Sequence, residues 1–311
     1  MEKSLQDVRI TVTGAGGFLG PAVVDALARS GARVQAIIGP PNEKARTPAS
    51  AASAAQVDIC DSSAVRKLVA GADAVVHLAG PASVAASFQE PSRYSRIHTE
   101  GTAALLEACR AEQIGRLIYV SSAEVYGRPL RSPVGEDHPL SARSPYGAAK
   151  IGAEKLIEAF VHAFGLRAVI LRPFSIYGPG ASPESLIPRI IDMARQGQPV
   201  LLRDLRPVRD YCFVTDLAEA IACACWLEDR ELEIFNVGTM RGTSVERIAA
   251  LILDALGVSC PIQQSRDRDR PGTSEIYELI ADNRRAREVL GWEPAVSLQE
   301  GLRMTVAGIE R

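Results

Sequence analysis

The stretch VRITVTGAGGFLG, residues 8–20 of a 311-residue chain, constrains the fold more than any other segment. A β-branched apolar run ends on glycines and passes directly into a helix-forming sequence, so it calls for a strand, a tight turn and a helix. Gly14, Gly17 and Gly20 fall at GxxGxxG spacing. Glycine permits the tight turn, lets backbone approach a pyrophosphate and allows close helix–strand packing. The following helix N-terminus offers N–H groups and a positive dipole to phosphate. A glycine triplet alone is a weak signal, and its context decides what it means.

That context is an alternation. Residues 8–14, 33–39, 55–60, 73–80, 116–122 and 167–174 read as buried strands, with helix-period segments at 18–30, 62–70, 93–113 and 147–164. Such βαβ repetition predicts an α/β fold with a doubly wound parallel sheet covered by helices on both faces. The alanine-rich 45–55 stretch reads as a surface loop or short helix. After Pro173 the rhythm changes, with YGPGASPES at 177–185 and helical runs at 185–197 and 243–257. RDYCFVTDLAEAIACACWLE, 209–228, reads as a return to the first domain, so the second is smaller and discontinuous. The division expected is 1–172 plus about 209–236 for the cofactor domain, and about 173–208 plus 237–311 for the other.

Net charge is −2, which gives no reason to expect a nucleic-acid or membrane-surface partner. No apolar run is long enough to span a bilayer, and MEKSLQDVRI carries acids and runs almost at once into a strand, so a cytoplasmic location is expected. Six cysteines (Cys60, Cys109, Cys212, Cys223, Cys225 and Cys260) form no CxxC pair, and the four histidines show no metal-ligand spacing.

The second strand ends Ile37-Ile38-Gly39-Pro40, without the acid that would bind an adenosine ribose; Lys44 and Arg46 follow. NAD and NADP therefore both stay open at this point. Asp58 and Ile59, ending the third strand, read as adenine contacts or as an ordinary strand-end turn. In SPYGAAK, 144–150, Tyr146 and Lys150 lie four apart on one helix face, either a surface pair or a proton relay.

With TGAGGFLG, VVHLAG, SSAEVYG, SPYGAAK and RPFSIYGPG in this order, and RDYCFVTD, FNVGT and LGWEP beyond them, the chain resembles the extended short-chain dehydrogenase/reductase family. More narrowly it is similar to the nucleotide-sugar epimerase/dehydratase branch, over nearly its whole length. The resemblance implies a Rossmann-type cofactor domain holding NAD, with NADP left open. The cofactor residues would be Gly14, Gly17, Phe18, Leu19, Gly20, Gly39, Asp58, Ile59, Leu78, Ala79, Gly80, His98 and Pro173, with Tyr146 and Lys150. It makes Tyr146 the base and Lys150 its partner, a cation that favours phenolate, with Ser122 on the same oxygen and Glu124 beside it.

Ala123 stands where the branch's 4,6-dehydratases carry a proton-donating Asp, which disfavours ordinary dehydration. Alanine there is similar to UDP-galactose 4-epimerases, and Glu124 to UDP-glucuronate decarboxylases. On the substrate side the resemblance implies Ser83, Ser175, Leu186, Ile187, Arg189, Arg209 and Arg270 around a UDP-, dTDP- or GDP-linked sugar. Three positions depart from the family: Ser175 and His98 replace asparagines, and the strand-end acid is missing. The first expectation is a C4 epimerase, the alternatives a dehydratase or decarboxylase using Glu124, or an NADPH-dependent 4-ketoreductase. A homodimer through helices 93–113 and 147–164 is also implied, although Leu105, Leu106, Leu156 and Phe160 could equally be core.

Overall fold

The computed structural model describes residues 4–40, 46–227, 230–265 and 274–309. Strands β1 (Arg9–Thr13), β2 (Arg33–Ile38), β3 (Ser53–Gln56), β4 (Ala74–His77), β5 (Arg116–Val120) and β6 (Ala168–Pro173) alternate with helices α1 (Gly20–Arg29), α2 (Ser62–Val69), α3 (Val84–Gln89), α4 (Pro91–Ser95), α5 (Gly101–Ala111) and α6 (Pro145–Phe164). Then follow β7 (Ser175–Tyr177), α7 (Leu186–Arg195), β8 (Val200–Leu202), β9 (Val208–Phe213), α8 (Val214–Cys225), β10 (Leu232–Val237), β11 (Gly242–Ser244), α9 (Val245–Leu256), β12 (Ile262–Gln264), β13 (Glu278–Leu279) and α10 (Leu298–Ile309).

Seven parallel strands form the large sheet in the order β10-β6-β5-β4-β1-β2-β3. All residues of β4, β5 and β6 are buried, as expected of strands covered on both faces. One face packs Val23, Val24 and Leu27 of α1 with Leu217 and Ile221 of α8; the other packs Val65 of α2, Leu105 and Leu106 of α5 and Ile157 of α6. Each fully buried Leu or Ile contributes about 1.5–3 kcal/mol. Leu105 and Leu106 are thus core, whereas Leu156 and Phe160 are half-buried. The sheet order reverses between β1 and β4, the switch point at which open α/β sheets bind ligands.

A second sheet joins β7, β9, β11 and β13, and packs Tyr177, Tyr211 and Phe213 against Ile187 and Ile190 of α7 and Ile248 and Ile252 of α9. Strand β9 therefore lies outside the large sheet, while α8 and β10, which follow it, lie on and in that sheet; the chain crosses back at Val214 rather than at residue 209. Two further readings are corrected. The third strand occupies Ser53–Gln56, overlapping the stretch read as loop or short helix. The 93–113 helix is broken: α4 and α5 flank a π-turn, Arg96–Glu100, in which the Gly101 amide reaches back five residues to the Arg96 carbonyl.

Candidate active site

Gly14 ends β1 at φ 71°, and a Cβ built on it would lie 2.7 Å from the Ala79 amide nitrogen. Only glycine lets the loops after β1 and β4 meet this closely. Gly20 is equally constrained, its Cβ direction pointing 2.1 Å from the Ala15 carbonyl oxygen. Helix α1 starts on the turn between them, with no side-chain cap and no acid in its first turn, so its dipole is left for an anion. Gly17 is exposed in that turn, and Phe18 and Leu19 pack toward the second core. At Gly39 a Cβ would have no atom of the described residues within 4 Å.

A chain of hydroxyls and imidazole fixes these strand ends. The Ala79 amide donates to Thr13 Oγ1 (3.3 Å), the Thr13 hydroxyl to His77 Nδ1 (2.7 Å), His77 Nε2 to Thr102 Oγ1 (3.1 Å), and the Thr102 hydroxyl to the His98 carbonyl (2.6 Å). Burial drives the His77 pKa down to about 3, so the ring is neutral, as the chain requires.

Helix α6 brings Tyr146 and Lys150 to the same crevice. Ser144 caps it, accepting from the Gly147 amide at 3.1 Å, Pro145 occupies the first turn, and Gly165 ends it at φ 69°. A Cβ at Gly147 would lie 2.7 Å from the Glu124 carbonyl oxygen, so the helix start packs onto the Ala123–Val125 3₁₀ turn. Ser122 caps that turn and hydrogen-bonds the Tyr146 phenol. Lys150 donates to the Val120 carbonyl at 2.8 Å, with Nζ 4.7 Å from the Tyr119 ring centroid and 5.9 Å from that of Tyr146.

Both groups are buried, and burial sets their acidity. It lowers the Lys150 pKa to about 7, with Glu154 opposing the shift. It raises Tyr146 well above the ordinary phenol value, an effect the Ser122 hydrogen bond opposes and Glu124 and Tyr94 reinforce. The site as it stands therefore holds a neutral phenol beside a lysine poised near neutrality. A cation arriving next to Tyr146 would favour phenolate, which is what proton abstraction needs.

Of the other cofactor candidates, Asp58 is half-buried, pairs with Arg96 at 3.1 Å and accepts from the Cys60 amide at 3.0 Å. Ile59 is buried against Gly101. Leu78, Ala79 and Gly80 form the β4 end beside Gly14, and Pro173 closes β6 opposite Val237. On the proposed substrate side, the Ser83 hydroxyl caps α3, and Ser175 sits in β7 in register with Tyr211. Leu186 and Arg189 are half-buried and exposed in the first turn of α7, where Ile187 faces the core. Arg209 is paired with Glu275 at 3.2 Å and donates to the Val208 carbonyl. Lys44 and Arg270 lie outside the described residues.

Residue-type reasoning passed over four neighbours. Tyr94 stacks edge-on to Tyr146 with centroids 6.1 Å apart and donates to the Ser83 carbonyl. Tyr119 supplies the face beneath Lys150. Glu154 and Arg172, 3% exposed each, form a buried bidentate pair at 2.6 and 3.0 Å, and Glu154 also accepts from Ser121 at 2.5 Å. Arg172 continues to the Tyr126 hydroxyl, which donates to Asn236. The spacing of Glu154, four residues after Lys150, was the available signal.

Residues 10–238 match the model of the NAD dependent epimerase/dehydratase family. The chain is 32% identical over 309 residues to a dTDP-glucose 4,6-dehydratase of Streptomyces griseus, covering 96% of this chain and 93% of that protein. It is 30% identical over 310 residues to a UDP-glucose 4-epimerase of Mycolicibacterium smegmatis, covering 96% and 97%. The solved UDP-glucose 4-epimerase of Thermotoga maritima, with UDP-glucose, superposes with a TM-score of 0.88 at 31% identity, over 97% of this chain and 99% of that one. With a glycine cradle at the switch point and Tyr146 and Lys150 beside it, this chain belongs to the NAD-dependent epimerase/dehydratase family, enzymes that act on nucleotide sugars.

Proposed function

We propose that the protein is a nucleotide-sugar 4-epimerase working through a transient 4-keto sugar. The crevice fits a dinucleotide: Gly14 admits no side chain, α1 is uncapped, and a buried acceptor, His98 Nδ1, has no partner among the described residues. Gly14, Gly17 and Gly20 with α1 would hold its pyrophosphate, and Leu78, Ala79, Gly80 and Lys150 the part beyond it. Bound NAD would supply reversible hydride acceptance from sugar C4. Tyr146 takes the proton of the C4 hydroxyl and returns it, Ser122 holds the same oxygen, and Lys150 keeps positive charge beside the phenolate. Arg209 and Arg270 would neutralise the sugar's diphosphate, with Leu186, Ile187 and Arg189 at its base and Ser83 and Ser175 near the sugar.

Ala123 carries this reading. It is 3% exposed between Ser122 and Glu124, and its methyl group cannot protonate a departing C6 hydroxyl. Eliminating a poor leaving group needs such an acid, whereas epimerisation needs only the sugar to turn over between two hydride transfers. Incubating the protein and NAD with UDP-glucose, dTDP-glucose and UDP-galactose, and following products by NMR, tests the point. Interconversion at C4 is expected for at least one sugar; a 6-deoxy or decarboxylated product from a wider panel would refute it. The charge of Glu124 acts on Tyr146, and this proximity favours a second reading, a dehydratase or decarboxylase that uses Glu124 after the same oxidation. We assign the chain to the cytoplasm as a homodimer joined through α5 and α6, where Phe164 stays 52% exposed under the Arg110 guanidinium. Light scattering reading a monomer would refute the dimer.

A further inference from the structure

Tyr146, Lys150 and Glu154 stand four residues apart on α6, so they form one stripe along a single face of the helix. That stripe meets three consecutive residues at the end of β5. Lys150 donates to the Val120 carbonyl at 2.8 Å, the Ser121 hydroxyl donates to Glu154 Oε1 at 2.5 Å, and Ser122 hydrogen-bonds the Tyr146 phenol. Ser121 is buried, and its amide donates to the Leu171 carbonyl of β6, so the strand end is held by a helix on one side and a strand on the other.

Glu154 reaches further through its partner. Its two oxygens take Nε and Nη2 of Arg172 at 3.0 and 2.6 Å, and Arg172 turns Nη1 to the Tyr126 hydroxyl at 2.9 Å and the Glu136 carbonyl at 3.2 Å. Ser121 and Tyr126 flank the Ala123–Val125 3₁₀ turn, which Ser122 caps. One buried ion pair therefore grips both ends of that turn, Glu154 in front through Ser121 and Arg172 behind through Tyr126. Such a pair is a poor source of stability, because desolvation offsets its Coulomb attraction and packed apolar residues do as well. A fully hydrogen-bonded buried network does fix one arrangement, and the group held at its centre is Ser122. Serine has a single side-chain torsion, so its backbone decides where its hydroxyl stands. Resting on the reading that Ser122 and Tyr146 share the sugar oxygen, we propose that Glu154 and Arg172 are positioning residues for the reaction: the ion pair clamps the turn between Ser121 and Tyr126 so that the Ser122 hydroxyl meets the Tyr146 phenol.

Ser121→Ala releases the front grip and leaves the ion pair in place. With NAD and UDP-glucose, UDP-galactose or dTDP-glucose, this variant is expected to lower kcat about 10–10²-fold while KM stays within about twofold, because small misplacements of a reacting group are costly. In a Ser122→Ala background the same change should cost less than about twofold, since the hydroxyl being placed is already gone. An equal loss in both backgrounds would assign the pair to general stability and overturn the proposal, as would a wild-type kcat in Ser121→Ala. Amide hydrogen exchange gives a readout that needs no turnover. The Val125 and Tyr126 amides close the turn on the Ser122 and Ala123 carbonyls, and both should exchange about tenfold faster in Ser121→Ala. Unchanged exchange would overturn the clamp whatever the kinetics show. Faster exchange in the variant, with a wild-type protein that converts none of the three sugars, would instead refute the functional reading, and the clamp's part in it.

Discussion

Lys150 is a cation the fold shelters at a cost, and that cost is measurable. Its pKa falls from an ordinary 10.5 to about 7, because burial penalises the ammonium more than Glu154 supports it. In the unfolded chain the amine keeps its ordinary value, so between about pH 7 and 10.5 the unfolded state binds the extra proton. Stability therefore rises with pH through that window by about 1.4 kcal/mol per pH unit. Above it the penalty vanishes, and below pH 7 it is present in full, ~5 kcal/mol by the same conversion. Lys150→Met removes the ionisation and loses the bond to the Val120 carbonyl, a pH-independent change of about 1 kcal/mol. Urea unfolding of both proteins, free of nucleotide, at intervals from pH 6 to 10 isolates the effect. The stability of Lys150→Met relative to wild type should be greatest and level below pH 7, then decline steadily toward pH 10. A difference that stays flat across that range would refute the argument that Lys150 is desolvated.

Other consequences follow from the same site. Tyr146→Phe should lower kcat by about 10²–10⁴-fold while leaving NAD⁺ affinity within a few-fold, as read by steady-state kinetics and calorimetry. Gly39→Asp places a carboxylate at the end of β2, where no described residue crowds it, so binding assays should show a gain for NAD⁺ and a loss for NADP⁺. Arg172→Met leaves Glu154 buried without its partner, and denaturant unfolding should register a loss of about 3–5 kcal/mol.

How much of this was legible in sequence depends on the range of the interaction concerned. The Gly14 turn and the Ser144 cap are written within a few residues, and both stand where local pattern puts them. The π-turn is not local: its widened backbone accompanies a His98 carbonyl that takes the Thr102 hydroxyl, itself tied to His77 on β4. A helical periodicity cannot register such a shift. Nor can alternation say which sheet a strand joins, so β9 looked like its neighbours until its partners β7, β11 and β13 were known. Glu154 and Arg172 lie 18 residues apart on a helix and a strand, and each alone looks like a surface charge. Arg209 could be matched to a phosphate-binding position, but not its ion pair with Glu275.

Among the described residues, three connections between the two sheets have almost no slack. Strand β6 reaches β7 across Phe174 alone, and β9 becomes α8 with no residue between Phe213 and Val214. The path from β10 to β11 is tied down by the buried Asp210 carboxylate, which accepts from the amides of Thr239, Met240 and Ala281. Asp216, in the first turn of α8, likewise accepts from the Ala295 and Val296 amides, and its carbonyl takes the Trp292 indole N–H. Hinged closure needs residues that can absorb a change in φ and ψ, and these joints have none to spare. These short joints restrict how far the two sheets can part. Under the proposed epimerase reading, a keto intermediate would have to turn over between walls whose separation these joints limit.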